Sequence, residues 1–230
     1  MNHSVSLIYL VYNEEATLAG VLDEALVFCQ VQLQAGWQIV VVDDGSSDGS
    51  NAIAAEYAAR VDGIHLVTHH QNSGMGAAMA TGVAAASSER FVFLSADGQA
   101  PVDELPRLFA LMDADIVVST YERGRAFSRS VLSGGLRLFM RAAAGIRFEL
   151  EGLYVFPTDV AQRLAPLIEA DTFFFSFELI DRGLAEGLTI AHTTMAYRQR
   201  EAGASKVANL RRVRRVAGEV WRYSRRKRKS

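Results

Sequence analysis

A single cysteine, Cys29, stands in 230 residues, so no intrachain disulfide is available and a disulfide-built secreted module is excluded. Prolines number four and low-complexity tracts are absent, leaving no Pro/Ser-rich linker to divide the chain. One large domain is therefore expected. No uninterrupted apolar run reaches the ~18–20 residues that cross a bilayer. The opening MNHSVSLIYLVYNEE lacks a basic n-region and a cleavage site, so no secretory leader is expected. The five histidines form no ligand pattern, and His69-His70, beside a strand end and so within reach of a site there, reads in the first place as a polar loop pair.

What is present is globular: half the residues are apolar and 22% are charged. The net charge of −2 hides an asymmetry. Residues 211–230 carry ten Arg/Lys against Glu219, a local charge of +9, while residues 1–210 carry 14 basic and 25 acidic side chains, or −11. An acidic body with a basic tail implies an anionic partner for the tail. The composition is that of an intracellular, cytoplasmic enzyme or binding domain.

The hydrophobic pattern alternates. Strands are expected at Ser4–Val11, Trp37–Val42, Ile64–Thr68, Phe91–Leu94 and Asp115–Ser119, as short apolar runs buried on both faces of a sheet. Between them Leu18, Leu22, Ala25, Cys29 and Leu33 recur at helical steps, which makes Cys29 a packed residue. Further helices are expected at Gly74–Ala86 and from Pro101 onward. Later strands are expected at Leu153–Phe156 and Leu188–Tyr197, and later helices near Val160–Ile168 and Phe177–Glu186. This order implies βαβ units, a mainly parallel sheet with helices on both faces, and ligands beyond the carboxyl ends of the strands.

Three polar clusters follow expected strands: Tyr12–Glu15, Asp43–Asp48 and Ser95–Gln99. Carboxylates gathered at one edge need a cation or a hydrogen-bonding ligand to offset them. Asp97 and Gln99 are oxygen ligands suited to Mg²⁺ or Mn²⁺ shared with substrate phosphates. Asp43 and Asp44 can accept hydrogen bonds from ribose hydroxyls or base N–H groups.

Tyr12-Asn13-Glu14-Glu15, Val41-Val42-Asp43-Asp44-Gly45-Ser46-Ser47-Asp48-Gly49, Asn72-Ser73-Gly74-Met75-Gly76 and Ala96-Asp97-Gly98-Gln99 occur in this order. As an ordered set they resemble the family-2 glycosyltransferases, closest to the branch of dolichol-phosphate and other polyprenyl-phosphate sugar transferases. The likeness covers about residues 4–206. It implies a GT-A-type α/β fold, a nucleotide-diphospho-sugar donor, an acceptor of the polyprenyl-phosphate class, and inversion at the sugar carbon. It also implies that Asp44 and the Tyr12–Glu15 loop contact the nucleoside, with Asp43, Gly74, Ser95 and Ala96 in the same donor site. Asp97 and Gln99 match the last Asp and the Gln of DxDxQ, the metal ligands. Arg129 and Ser133 match R-x-x-x-S, and Arg200, Ser205 and Lys206 match R-x-x-G-x-S-K, both phosphate-binding segments. Asp97, Arg129 and Arg200 are the candidate catalytic residues, and Glu178 matches an acidic position in a phenylalanine-rich helix.

The chain also departs from the pattern. Ser95 replaces the first Asp of DxD, Thr120 replaces an Arg, and Phe148 stands where an Asp is common. The membrane helices found in many relatives are not expected within these residues. A lipid-phosphate acceptor needs no general base, whereas a hydroxyl acceptor does, with Glu149, Glu151 and Glu178 as candidates. Transfer to a soluble or glycan hydroxyl is thus an alternative, as is a catalytically reduced nucleotide-sugar-binding subunit. An oxidoreductase reading fails on the spacing from Gly74-Met75-Gly76 to Gly82.

The domain is expected over 1–206, with 207–230 a basic amphipathic tail. Val213, Val216, Val220 and Trp221 alternate there with arginines. Such a helix either lies peripherally on an anionic membrane or meets a membrane-protein partner, or it packs its apolar face on the domain. No nucleic acid is expected, because no aromatic platform accompanies the charge.

Overall fold

The computed structural model describes residues 3–33, 36–122, 135, 138–196, 198 and 210–228. Seven strands form one mixed sheet: β1 (Val5–Val11), β2 (Trp37–Asp43), β3 (Ile64–Thr68), β4 (Arg90–Ser95), β5 (Ile116–Tyr121), β6 (Tyr154–Pro157) and β7 (Ile190–Met195). Their spatial order is β3-β2-β1-β4-β6-β5-β7. All neighbours run parallel except β6, which lies antiparallel between β4 and β5. Because β6 reverses twice, β4 and β5 still end on the same edge. The carboxyl ends of β1, β2, β4 and β5 therefore share one rim.

The apolar runs of the strands divide by residue parity. Leu7, Tyr9, Ile39, Val41, Val92 and Leu94 pack into one core, while Ile8, Val40, Val42, Phe91 and Phe93 pack into the other. This is the period of two expected of strands buried on both faces. The first core is covered by α1 (Glu15–Phe28), α2 (Ser50–Arg60) and α4 (Leu105–Phe109). The second is covered by α3 (Met75–Ala85), α5 (Thr158–Leu164), α6 (Phe174–Ala185) and α7 (Leu210–Lys227).

Two expected helices differ in their bounds, for local reasons. The helix expected from Pro101 is a 3-10 turn, Val102–Glu104, and then the short α4. Pro106 has no N–H to continue the ladder, so the turn cannot run straight on. The helix expected from Phe177 starts at Phe174, where Thr172 Oγ1 accepts the Phe174 N–H at 3.2 Å. Glu15–Leu33 forms one helical stretch, α1 continued by a π-helical turn, Cys29–Leu33, with mean hydropathy 1.3. By length and composition alone this stretch meets the requirement for a membrane span, which the uninterrupted runs do not. Its Leu18, Leu22, Ala25, Phe28 and Cys29 are buried against the sheet. Burial pushes the Cys29 thiol up to about 12, as suits a packed side chain.

In α7 the packing alternative holds for the described side chains. Val216, Val220 and Tyr223 enter the second core, and Tyr223 meets the ring of Phe174 at 5.9 Å. Trp221 is 54% exposed on the opposite side, with Arg225 over its ring.

Candidate active site

Each of the three polar clusters leaves the rim at the end of a parallel strand. β1 gives way to Asn13, whose φ of 54° turns the chain sharply; asparagine tolerates this left-handed region better than most residues. The turn brings Tyr12–Glu15 against the loop after β2, and reciprocal bonds join the two. Asn13 N donates to Ser46 Oγ (3.0 Å), Ser47 N to Asn13 Oδ1 (2.8 Å) and Glu14 N to Ser50 Oγ (2.9 Å). Glu15 N donates to Asp48 Oδ2 (3.2 Å), and Gly49 N returns a bond to Glu15 Oε2 (2.9 Å). Asp48 and Glu15 thus serve as crossed caps. Each satisfies an orphan amide at the start of the other's helix.

Asp43 ends β2 and Asp44 follows it, both with side chains turned into the protein. Asp43 is 1% exposed; its Oδ1 accepts Ser46 N (3.0 Å) and its Oδ2 accepts Asn51 Nδ2 (2.8 Å). Asp44 is 5% exposed and accepts Ser73 N on Oδ1 (2.8 Å) and Gly74 N on Oδ2 (2.9 Å). Two negative charges side by side are tolerable here because fixed N–H donors surround them. Between them and the start of α3, Gly45 lies at φ +70°, and a Cβ there would sit 2.4 Å from the Gln71 carbonyl carbon. Only glycine fits that approach.

β4 ends at Ser95, which is exposed, and Ala96, which is fully buried. Ala96 O accepts Thr17 Oγ1 at 2.7 Å, tying this turn to the first turn of α1. Asp97 and Gln99 follow on a tight turn, with Gln99 N donating to Asp97 Oδ1 at 3.1 Å. Among the described residues Asp97 Oδ2 has no hydrogen-bond partner, and no three His, Cys, Asp or Glu side chains cluster to hold a metal by themselves. The chain after β7 returns to this turn: Arg198 N donates to Gln99 O at 3.1 Å. The Arg198 side chain is anchored on Glu24 at 2.8 Å.

The acidic residues of the second half separate into two places. Glu151 N and Gly152 N both donate to Ser119 O near the end of β5, which puts Glu149–Glu151 beside the rim. Glu178 is instead 1% exposed within the packing of α6 and α7, where Arg182 donates to it at 2.8 Å and Arg226 at 3.3 Å. Burial holds the Glu178 carboxyl above its ordinary range, against the pull of both arginines. Arg129, Ser133, Arg200, Ser205 and Lys206 lie outside the described residues.

Sequence reasoning passed over Thr17, Ser50, Asn51 and Arg198, and it set His69 within reach of the site but favoured a polar loop pair. His69 Nδ1 is 2.7 Å from Asp44 Oδ1 and its Nε2 is 2.9 Å from Thr81 Oγ1. The available signal was its position one residue past β3, next to the rim.

The model of the family described as glycosyl transferase family 2 matches residues 6–202. The chain is 36% identical over 147 residues to the undecaprenyl-phosphate 4-deoxy-4-formamido-L-arabinose transferase of Aeromonas hydrophila, covering 62% of this chain and 44% of that enzyme. Against the dolichyl-phosphate beta-glucosyltransferase of Dictyostelium discoideum it is 25% identical over 228 residues, covering 90% of this chain and 69% of that one. The Aeromonas relative is thus matched over less than half its own length. A crystal structure of glucosyl-3-phosphoglycerate synthase from Mycobacterium tuberculosis, in complex with Mn²⁺, UDP and phosphoglyceric acid, shares the fold. Its TM-score is 0.72 at 19% identity, covering 97% of this chain and 79% of that one. The family match takes in β1, β2 and β4 and all three rim loops, and on that span the chain belongs to glycosyl transferase family 2.

Proposed function

We propose that this chain moves a sugar from a nucleoside-diphosphate donor to a polyprenyl phosphate, inverting the sugar carbon. The observation that carries the reading is the convergence of three acidic and polar loops on one sheet rim, in a chain whose relatives are named for polyprenyl-phosphate acceptors. In this reading Tyr12, Asn13 and Glu14 frame the nucleoside, with Asp43 and Asp44 fixing the loops around it. Gly74, Ser95 and Ala96 border the diphosphate.

Asp97 and Gln99 are the residues that would hold Mg²⁺ or Mn²⁺. The fit is that of a hard cation carried partly by substrate: a carboxylate oxygen without a partner among the described residues, an amide oxygen two residues on, and Ser95 in place of a second carboxylate. When bound, the metal offsets charge on the leaving diphosphate. Arg129 and Arg200 add cationic stabilisation of the same group, and Ser133, Ser205 and Lys206 add phosphate contacts. The acceptor's phosphate oxygen forms the new bond to the sugar carbon as the bond to the nucleoside diphosphate breaks. That oxygen is already anionic, so no carboxylate takes a proton. Glu178, held by Arg182 and Arg226, anchors α7 to α6.

We place the enzyme at the cytoplasmic face of a membrane. Trp221, Arg222 and Arg225 on the outer side of α7 support contact with an anionic surface. The test is incubation with labelled UDP-, GDP- and dTDP-sugars, Mn²⁺, and undecaprenyl or dolichyl phosphate. Transfer of label to lipid is the expected result. Nucleotide binding with transfer only to soluble hydroxyl compounds would overturn the acceptor assignment.

A further inference from the structure

We propose that His69 is a positioning residue of the donor site, fixing the Asp44 carboxylate that holds the Ser73–Gly74 amides. The inference rests on the reading above, in which this turn borders the donor diphosphate.

The geometry begins with the sheet. β3 runs beside β2 with Thr68 opposite Asp43, and His69 N continues the ladder by donating to Asp43 O at 2.9 Å. One residue past the strand, the imidazole reaches across to Asp44. Its Nδ1 is 2.7 Å from Oδ1 and its Nε2 is 2.9 Å from the Thr81 hydroxyl on α3. In the neutral ring, Nδ1–H donates to the carboxylate and Nε2 accepts from Thr81. The ring thereby bridges the end of β2 to the helix whose first turn follows Gly74.

Asp44 takes three bonds: from His69, from Ser73 N and from Gly74 N. Hydrogen bonds to an ionised acceptor are among the stronger ones, so the carboxylate acts as a fastener for that turn. The turn has little freedom to move elsewhere. Gly76 N donates to Asp171 O at 3.0 Å, and a Cβ on Gly76 would lie 2.0 Å from Ala170 O. Ser73–Gly76 is thus set between Asp44 on one side and residues 170–171 on the other. Loosening the carboxylate releases the Ser73–Gly74 turn on its Asp44 side, and with it the start of α3.

Three substitutions separate positioning from bulk packing. His69→Asn keeps an amide nitrogen near the place of Nδ1 and keeps the Asp44 bond. His69→Gln extends toward Thr81 and loses Asp44, and His69→Ala loses both. For each, and for Thr81→Val, two readouts are taken: dissociation constants for UDP, GDP and dTDP with Mn²⁺, and hydrogen exchange of the Ser73 and Gly74 amides. His69→Ala and His69→Gln are expected to weaken the nucleotide that the wild type binds by about tenfold and to speed exchange by a similar factor. His69→Asn is expected to stay within about twofold on both counts, and Thr81→Val within about threefold. Unchanged exchange in His69→Ala, or a loss in His69→Asn equal to that in His69→Ala, overturns the positioning role. If exchange behaves as expected while the wild type binds none of the nucleotides, the donor reading fails and His69 retains only the tether to the turn.

Discussion

Acidic side chains hold both the rim and the α6–α7 interface, but they grip different partners. At the rim, Glu15, Asp43, Asp44 and Asp48 accept hydrogen bonds from main-chain N–H groups. Around the α6–α7 interface, Glu178 meets Arg182 of its own helix and Arg226 of α7, Asp181 meets Lys227 and Tyr223, and Asp171, just before α6, meets Arg215. Main-chain donors fix the path of a loop, which is what a preorganised binding site requires. Side-chain pairs fix how one helix sits on another. The comparison also accounts for the charge asymmetry of the sequence. Part of the anionic partner expected for the basic tail is the body itself, through Asp171, Glu169, Glu178 and Asp181. Arg214, Arg222, Arg225 and Arg228 remain on the exposed side.

If the two regions divide the work this way, changes at the rim alter chemistry and changes at α7 alter stability. The largest effect is expected for Asp97→Ala. Loss of the candidate metal carboxylate should lower transfer to lipid by about 10²-fold or more while leaving the thermal midpoint near that of the wild type. A variant with full turnover breaks the assignment. Tyr223→Ala removes a buried ring packed on Phe174 and the hydroxyl bond to Asp181. It should cost about 3–5 kcal/mol in denaturant unfolding, with nucleotide affinity unchanged below the transition.

A smaller effect is expected with pH. Glu219 is buried in α7, with Oε2 accepting Thr172 Oγ1 and Oε1 lacking a hydrogen-bond partner among the described residues. Burial holds its carboxyl above the ordinary glutamate range, although Thr172 and Arg215 pull the other way. A raised acid binds more protons folded than unfolded, so stability drops as pH climbs from the ordinary glutamate range through the raised value. Glu219→Gln should match the wild type in acid and exceed it at neutral pH, as followed by urea unfolding. The smallest effect belongs to Trp221→Ala, within about ±0.5 kcal/mol in stability. In the same variant, flotation with anionic vesicles should fall measurably; unchanged flotation removes Trp221 from the membrane contact.

Much of the framework was legible in order and period. WQIVVV and FVFL announce strands buried on both faces, and the parity of their residues sorts them into two cores. The three rim loops were legible because each follows such a run. What periodicity cannot supply is the partner of a polar side chain. Asp48 and Glu15 cap each other's helices from 33 residues apart, and His69 meets Asp44 from 25 residues away. The direction of β6 was equally hidden, since four residues buried throughout carry no mark of antiparallel pairing. In α7 an apolar stripe fits a membrane or a core equally well. Only the neighbouring Phe174 and the acids of α6 decide for the core.

The central claim is a donor site at the rim, and thermal stabilisation by UDP, GDP and dTDP, each with and without Mn²⁺, tests it most directly. A ligand that binds only the folded chain raises its midpoint by mass action, whatever the acceptor. The account predicts a rise with one of the three nucleotides that depends on Mn²⁺ and vanishes in Asp97→Ala. No rise with any of them, or an equal rise in Asp97→Ala, would contradict it.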